Sequence, residues 1–209
     1  MEYYEVIHKR RMYRSFTKQP VESASLERIL SSATQSPSAG FAQGFDFLVI
    51  REKSHLETFW NLALTEDWKN RTETHKHLWN APVVIIPLAH PEAYLNRYTE
   101  QDKSYSNLDS IQNWPVPYWY IDCAFSTMNI LNSVTDEGLG ALFFGLFRNQ
   151  EELKRVFSIP GDYLPIGAIA IGHPAPKKES GSSKRGRRDI SDQFHLDNFG
   201  KPYRCKTQD

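Results

Sequence analysis

Residues 119–138 carry charge only at Asp122 and, close to the end, at Asp136 and Glu137. Ile121, Ala124, Phe125, Met128, Leu131 and Thr135 recur there at the 3.6-residue period of a helix. The remaining positions, such as Cys123, Ser126, Thr127, Ile130 and Ser133, are mostly small or uncharged. A helix so poor in charge is expected at the centre of a fold, with that stripe facing inward and Gly138 ending it.

Something must pack around such a helix, and three apolar runs read as strands. They are Phe45–Ile50, residues 81–88 and residues 164–172, the last two continuous enough to be buried on both faces. Helical spacing also marks residues 2–11, a segment from Ser25 with Leu26, Ile29, Leu30 and Ala33 inward, residues 55–77, and residues 149–156. The elements show no regular βαβ alternation. The predicted class is α+β, with a central mixed or mostly antiparallel sheet flanked by helices.

Residues 90–117 are polar, aromatic and irregular, and are expected to form a variable insertion or lid. Residues 177–188 carry six basic side chains and one acid among Gly and Ser, which describes an arm. The predicted organisation is one domain over residues 1–175 with the insertion inside it, followed by a basic C-terminal arm over 176–209.

Lys and Arg number 25 and Asp and Glu 25, so the chain lacks the cationic excess of a general nucleic-acid coat protein. Two cysteines, Cys123 and Cys205, cannot build a disulfide framework or a four-ligand zinc site. No apolar run approaches the ~20 residues of a membrane span, and the first residues lack the order of a secretory signal. No metal, no nucleic acid, no membrane and a cytoplasmic location are the expectations.

Four segments hold residues suited to binding. Arg10, Arg11 and Arg14, with Met12 between them, offer guanidinium forks to an anion, or else form a solvated basic helix end. Ser36-Pro37-Ser38-Ala39-Gly40-Phe41-Ala42-Gln43-Gly44 lets backbone approach a flat ligand while Ser38 and Gln43 read polar edges; it equally suits an ordinary turn. Gly138-Leu139-Gly140 runs into Phe143-Phe144-Gly145-Leu146, either a ligand wall or a tightly packed strand. Arg185, Arg187 and Arg188 form the basic part of the arm, whose competing readings are a solvating tail or a weak nucleic-acid contact. None of these matches a dinucleotide fingerprint or a phosphate loop.

In their order along the chain, these segments resemble the nitroreductase family of FMN-dependent flavoproteins. The matching motifs are Arg10-Arg11-Met12-Tyr13-Arg14-Ser15-Phe16, Ser36-Pro37-Ser38 leading to Gln43, Gly138-Leu139-Gly140, Gly172-His173-Pro174, and Arg187-Arg188 with His195. The resemblance implies the α+β nitroreductase-like fold as an intertwined homodimer, with FMN as cofactor and NAD(P)H as electron donor. By the same resemblance, Arg10 and Arg187, with Arg185, hold the phosphate and ribityl end. Arg11 and Met12 add backbone or ribityl contacts, and Arg14 lies near the flavin N1/O2 edge. Pro37, Ser38 and Ala39 would line the flavin from the partner subunit, with Gln43 at the end of that motif. Phe143, Phe144, Gly145 and Leu146 would form the wall beside the ring, with the Gly145 N–H directed at N5.

Two departures from the family pattern stand out. Phe41 replaces an asparagine common in relatives, and Gly44-Phe45 replaces Pro-Trp, so a more apolar pocket is expected. Phe41, Trp114 and Tyr118 are its candidate lining residues. The implied reaction is ping-pong hydride transfer from NAD(P)H through flavin N5 to a nitroaromatic, a quinone or a similar small acceptor. Such exchange requires no dedicated acid or base, and no catalytic side chain is nominated. A deazaflavin-using or dehydrogenase relative of the same fold, or a regulatory protein using the basic arm, are the alternatives.

Overall fold

The computed structural model describes residues 1–73, 75–176 and 185–203. In it, Phe45–Ile50 (β1), Val83–Ala89 (β2), Gly140–Phe144 (β3), Leu164–Pro165 (β4) and Ala168–Gly172 (β5) make one sheet in the order β1-β2-β5-β3, with β4 beside β2. Every pairing is antiparallel; β1 lies along β2 with Phe45 opposite Ala89 and Ile50 opposite Val84.

The unbroken apolar run of β2 reflects burial on both faces. Val84, Ile86 and Leu88 pack in one core with Phe16, Phe59, Trp60, Leu142 and Leu153. Val83 and Ile85 point the other way, toward Leu26, Ile29, Ile130, Val134 and Ile171. Helices Ser23–Ala33 (α2) and Tyr118–Asp136 (α6) close the second face, and α2 contacts α6 along its length. The remaining helices of this unit are Tyr3–Lys9 (α1), Lys53–Ala63 (α3), Glu66–Arg71 (α4), Pro91–Thr99 (α5) and Gln150–Val156 (α7). No helix among the described residues is long and apolar enough to cross a membrane.

Four expectations need correction. The helix expected over 55–77 is two: Leu64 is extended, and Thr65 starts α4 afresh by accepting a hydrogen bond from the Trp68 N–H (3.1 Å). Residues 90–117 are not irregular throughout, since α5 lies within them and buries Pro91 and Tyr94. The run 164–172 divides at Gly167, where φ is +155° and a Cβ would sit 2.6 Å from the Phe143 ring. The inner stripe of α6 is Trp119, Asp122, Cys123, Ser126, Thr127, Ile130, Leu131 and Val134, whereas Phe125 and Met128 face outward.

Residues 178–209 form a second compact unit, described over residues 185–203. It contains the short helix Ile190–Gln193 (α8), capped by the Asp189 carboxylate on the Ser191 N–H, and a bridge between His195 and Pro202. Residues 177–184 of the predicted arm, and Cys205, lie outside the described residues.

Candidate functional site

At the end of α1 the backbone turns extended at Arg10 and then runs beside β3. Met12 bridges Ala141 in parallel, the Tyr13 N–H donates to the Ala141 carbonyl (2.8 Å), and Phe16 pairs with Pro174. Three sequence motifs thus become neighbours in space: the arginine cluster, the Gly138–Gly145 region and Gly172-His173-Pro174. Gly140 makes the approach sterically feasible, because a Cβ there would lie 2.9 Å from Tyr13 and 3.0 Å from Pro174.

Beside this junction is a cavity of about 380 Å³, lined by Arg14, Trp68, His75, Phe143, Gly145 and Arg148 among others. Arg14 is partly buried and donates to the Met12 carbonyl at 3.3 Å, which turns its guanidinium back over its own strand. His75 pairs through Nδ1 with Thr72 Oγ1 (3.1 Å) and meets the Trp68 ring edge-on at 5.3 Å. Burial first, and the Arg14 charge second, hold its pKa below the usual histidine range. Phe144 forms the rear wall, stacked on Trp60 at 5.7 Å with the rings 14° apart. At Gly145 a Cβ would fall 2.3 Å from the Phe147 ring, so a side chain there would push into the space below that ring.

Of the predicted residues, Arg14, Phe143, Phe144 and Gly145 line this cavity together. Leu146 does not; it is buried in the core under the sheet. Arg10 ends α1, and Arg11 donates to the backbone carbonyls of His8 and of Arg10, the latter at 2.9 Å. Arg185 and Arg187 are exposed residues of the second unit.

Pro37, Ser38, Ala39 and Gln43 belong to a separate loop between α2 and β1 and are not among the residues lining the cavity. Phe41 stands at the tip of that loop with 72% of its surface exposed. Trp114 is buried: its indole N–H donates to the Leu108 carbonyl (2.8 Å), and its ring packs against Tyr94, Tyr98 and Trp119. Tyr118, exposed at the start of α6, tilts against the Trp114 ring at 5.8 Å.

Trp68 and His75 went unpredicted. They lie between motifs, in the later part of the run 55–77 that reads as one helix with its inner face set by Leu56, Phe59, Trp60 and Leu64. The signal that marks them is Thr65 followed by Glu66 and Asp67, an N-cap with acids in the first turn that restarts the helix and bends the chain toward the cavity.

Comparison with known proteins bears on the family and the fold. Residues 7–114 match the family model described as Nitroreductase family. A protein of Methanothermobacter thermautotrophicus, provisionally named NADH dehydrogenase/NAD(P)H nitroreductase, is 27% identical over 207 residues, covering 95% of this chain and 88% of its own length. The Bacillus subtilis protein named FMN reductase (NADPH) is 22% identical over 173 residues, covering 82% of this chain and 65% of its own. The solved structure of a nitroreductase family protein from Clostridium novyi superposes with a TM-score of 0.65 at 22% identity and covers 97% of each chain. With a family match over residues 7–114, more than half of its length and including the arginine cluster, the chain belongs to the nitroreductase family.

Proposed function

We propose that the protein is an FMN-dependent oxidoreductase that passes electron pairs from NAD(P)H to a small aromatic or quinone-like acceptor. The observation that carries this reading is the cavity in which Arg14 and His75 share space with Phe143, the backbone at Gly145 and the Phe144–Trp60 stack. Its chemistry fits a planar heterocycle: aromatic and glycine-backbone surface for the ring, and the partly buried Arg14 guanidinium for a polar edge. A bound flavin supplies the hydride chemistry.

This chain's residues have complementary tasks in that reading. Arg14 keeps a positive charge at the pyrimidine edge, where electron density accumulates on reduction. His75, held toward its neutral form, adds a hydrogen-bonding edge rather than a second charge. The Gly145 N–H serves the opposite side of the ring. Arg10, supported by Arg11 and Met12, serves the phosphate and ribityl end, as guanidinium forks suit.

A homodimer belongs to the same proposal. Phe125, Met128 and Tyr120 on α6, together with Tyr3 and Tyr4 on the adjoining α1, leave an aromatic face exposed in the single chain. A patch of that kind is suited to burial against a second copy. The loop bearing Pro37, Ser38, Ala39, Phe41 and Gln43 would then meet the other copy's flavin, with Tyr118 close to the acceptor.

An absorbance spectrum of the purified protein, before and after anaerobic addition of NADH or NADPH, tests this reading. Flavin bands near one FMN per chain that bleach with either nucleotide are the expected result. A colourless protein that takes up no added FMN would overturn it.

A further inference from the structure

The loop between α2 and β1 holds a shape that its own residues disfavour. Gly40, Phe41 and Gln43 all occupy the left-handed region, with φ of 60°, 57° and 50°. Glycine adopts it freely, whereas phenylalanine and glutamine do not. The Phe41 ring is largely exposed, so little packing compensates. Such backbone persists only where the surroundings over-determine it.

Two helices supply that determination. From α6, the Asp122 carboxylate, 3% exposed, accepts the Ala39 N–H at 2.8 Å and, on the same oxygen, the buried Tyr94 hydroxyl at 2.8 Å. On the same side of α6, Ser126 donates to the Ala33 carbonyl (2.6 Å), and Asn129 donates to Ser32 O (3.2 Å) and Ser36 Oγ (3.0 Å). From α5, Arg97 Nε donates to the Gly40 carbonyl at 2.8 Å, its guanidinium fixed by two 2.7 Å hydrogen bonds to Asp102. Within the loop, Ser38 Oγ accepts the Gln43 N–H at 2.9 Å.

We infer that Asp122 and Arg97 are positioning residues for the cofactor: they clamp the loop so that the Ala39 backbone and the Phe41 ring are presented to the flavin of the other copy in the proposed homodimer. The inference rests on the flavin reading above. Candidate contacts from small side chains and backbone depend on loop shape, and the shape is enforced from outside the loop. Part of the 90–117 stretch is therefore the outer jaw of a brace whose inner jaw is α6.

The test compares Arg97→Ala with Arg97→Lys, and Asp122→Ala with Asp122→Asn, in the full chain. It reads amide hydrogen exchange at Phe41 and Ala42, whose N–H groups bond to Ser38 and Ala39, and FMN dissociation by flavin fluorescence. Arg97→Ala is expected to speed exchange at those two amides and weaken FMN binding about tenfold, the effect of losing one charge-assisted hydrogen bond. Exchange in β2 should not change. Arg97→Lys and Asp122→Asn, which each keep a partner for the loop, are expected to recover much of both losses.

Unchanged exchange at Phe41 and Ala42 in both alanine variants overturns the brace. Faster exchange with undiminished FMN affinity overturns the positioning role. A wild-type protein that takes up no FMN refutes the flavin reading and the cofactor role with it, and the exchange data then decide the brace alone.

Discussion

Tyr94 occupies the space that a side chain at Gly44 would need: a Cβ on Gly44 would lie 2.3 Å from the Tyr94 ring and 2.8 Å from the His90 carbonyl. The ring is fully buried and the carbonyl is backbone, so neither yields. Gly44→Ala should cost about 3 kcal/mol through overpacking. The nearest atoms to a Cβ on Gly145 all belong to the Phe147 ring, which is 92% exposed and therefore free to give way. Thermal melts should show a large drop in Tm for Gly44→Ala and a small one for Gly145→Ala, with flavin retention falling in the latter.

Arg14→Ala removes the partly buried cation of the cavity, leaving the exposed Arg148. Flavin affinity should drop by about 1.5–3 kcal/mol, the range for hydrogen bonds to charged groups, and Arg14→Lys should recover part of it. Titration of apoprotein with FMN measures the difference.

Acid should destabilise the protein through His75. Its folded pKa lies below the unfolded value of 6.5, because burial and the neighbouring Arg14 oppose the charged form. The unfolded chain therefore binds the proton first, and stability is lost as pH falls below 6.5 toward the folded pKa. His75→Asn should flatten the fall in Tm over that window.

Alkali should act through Cys123 and Tyr94. Burial, reinforced by Asp122, pushes the Cys123 thiol from 9.0 up to about 12, and burial raises the Tyr94 hydroxyl above its ordinary 10.0. Both groups have raised folded pKa values, so their contribution is complete below pH 9 and is lost as pH rises past it. Tyr94→Phe removes the tyrosine contribution and one hydrogen bond to Asp122. It should lower Tm at neutral pH by an amount equivalent to about 1–2 kcal/mol while reducing the alkaline slope.

Phe125→Glu and Met128→Glu place charge on the outward face of α6 without touching its buried stripe. Sedimentation should show a dimer for the wild type and a monomer for the double variant, with FMN retention falling in parallel.

Much of this architecture was legible from residue pattern. The strand Phe45–Ile50 has the expected bounds, and β2 falls within the run 81–88 apart from Ala89. The orientation of α6 was not legible, because the one charge in its interior, Asp122, faces inward and so points the periodicity the wrong way. Asp122 and Ser126 face inward there for the hydrogen bonds they make, with Thr127 buried beside them, while Phe125 and Met128 point out. The convergence of Arg14 with Phe143 and Gly145 was suggested by the order of motifs; their contact across the β3 edge is a tertiary fact that no local period encodes. His75 was invisible for the same reason.

Strand β2 has a consequence for how the first unit comes apart. Because Ile86 and Ile85 are adjacent in the chain yet belong to opposite cores, no hydrophobic layer can loosen without pulling on the other. Heat should dismantle both layers in one concerted calorimetric transition, with no state in which either survives alone.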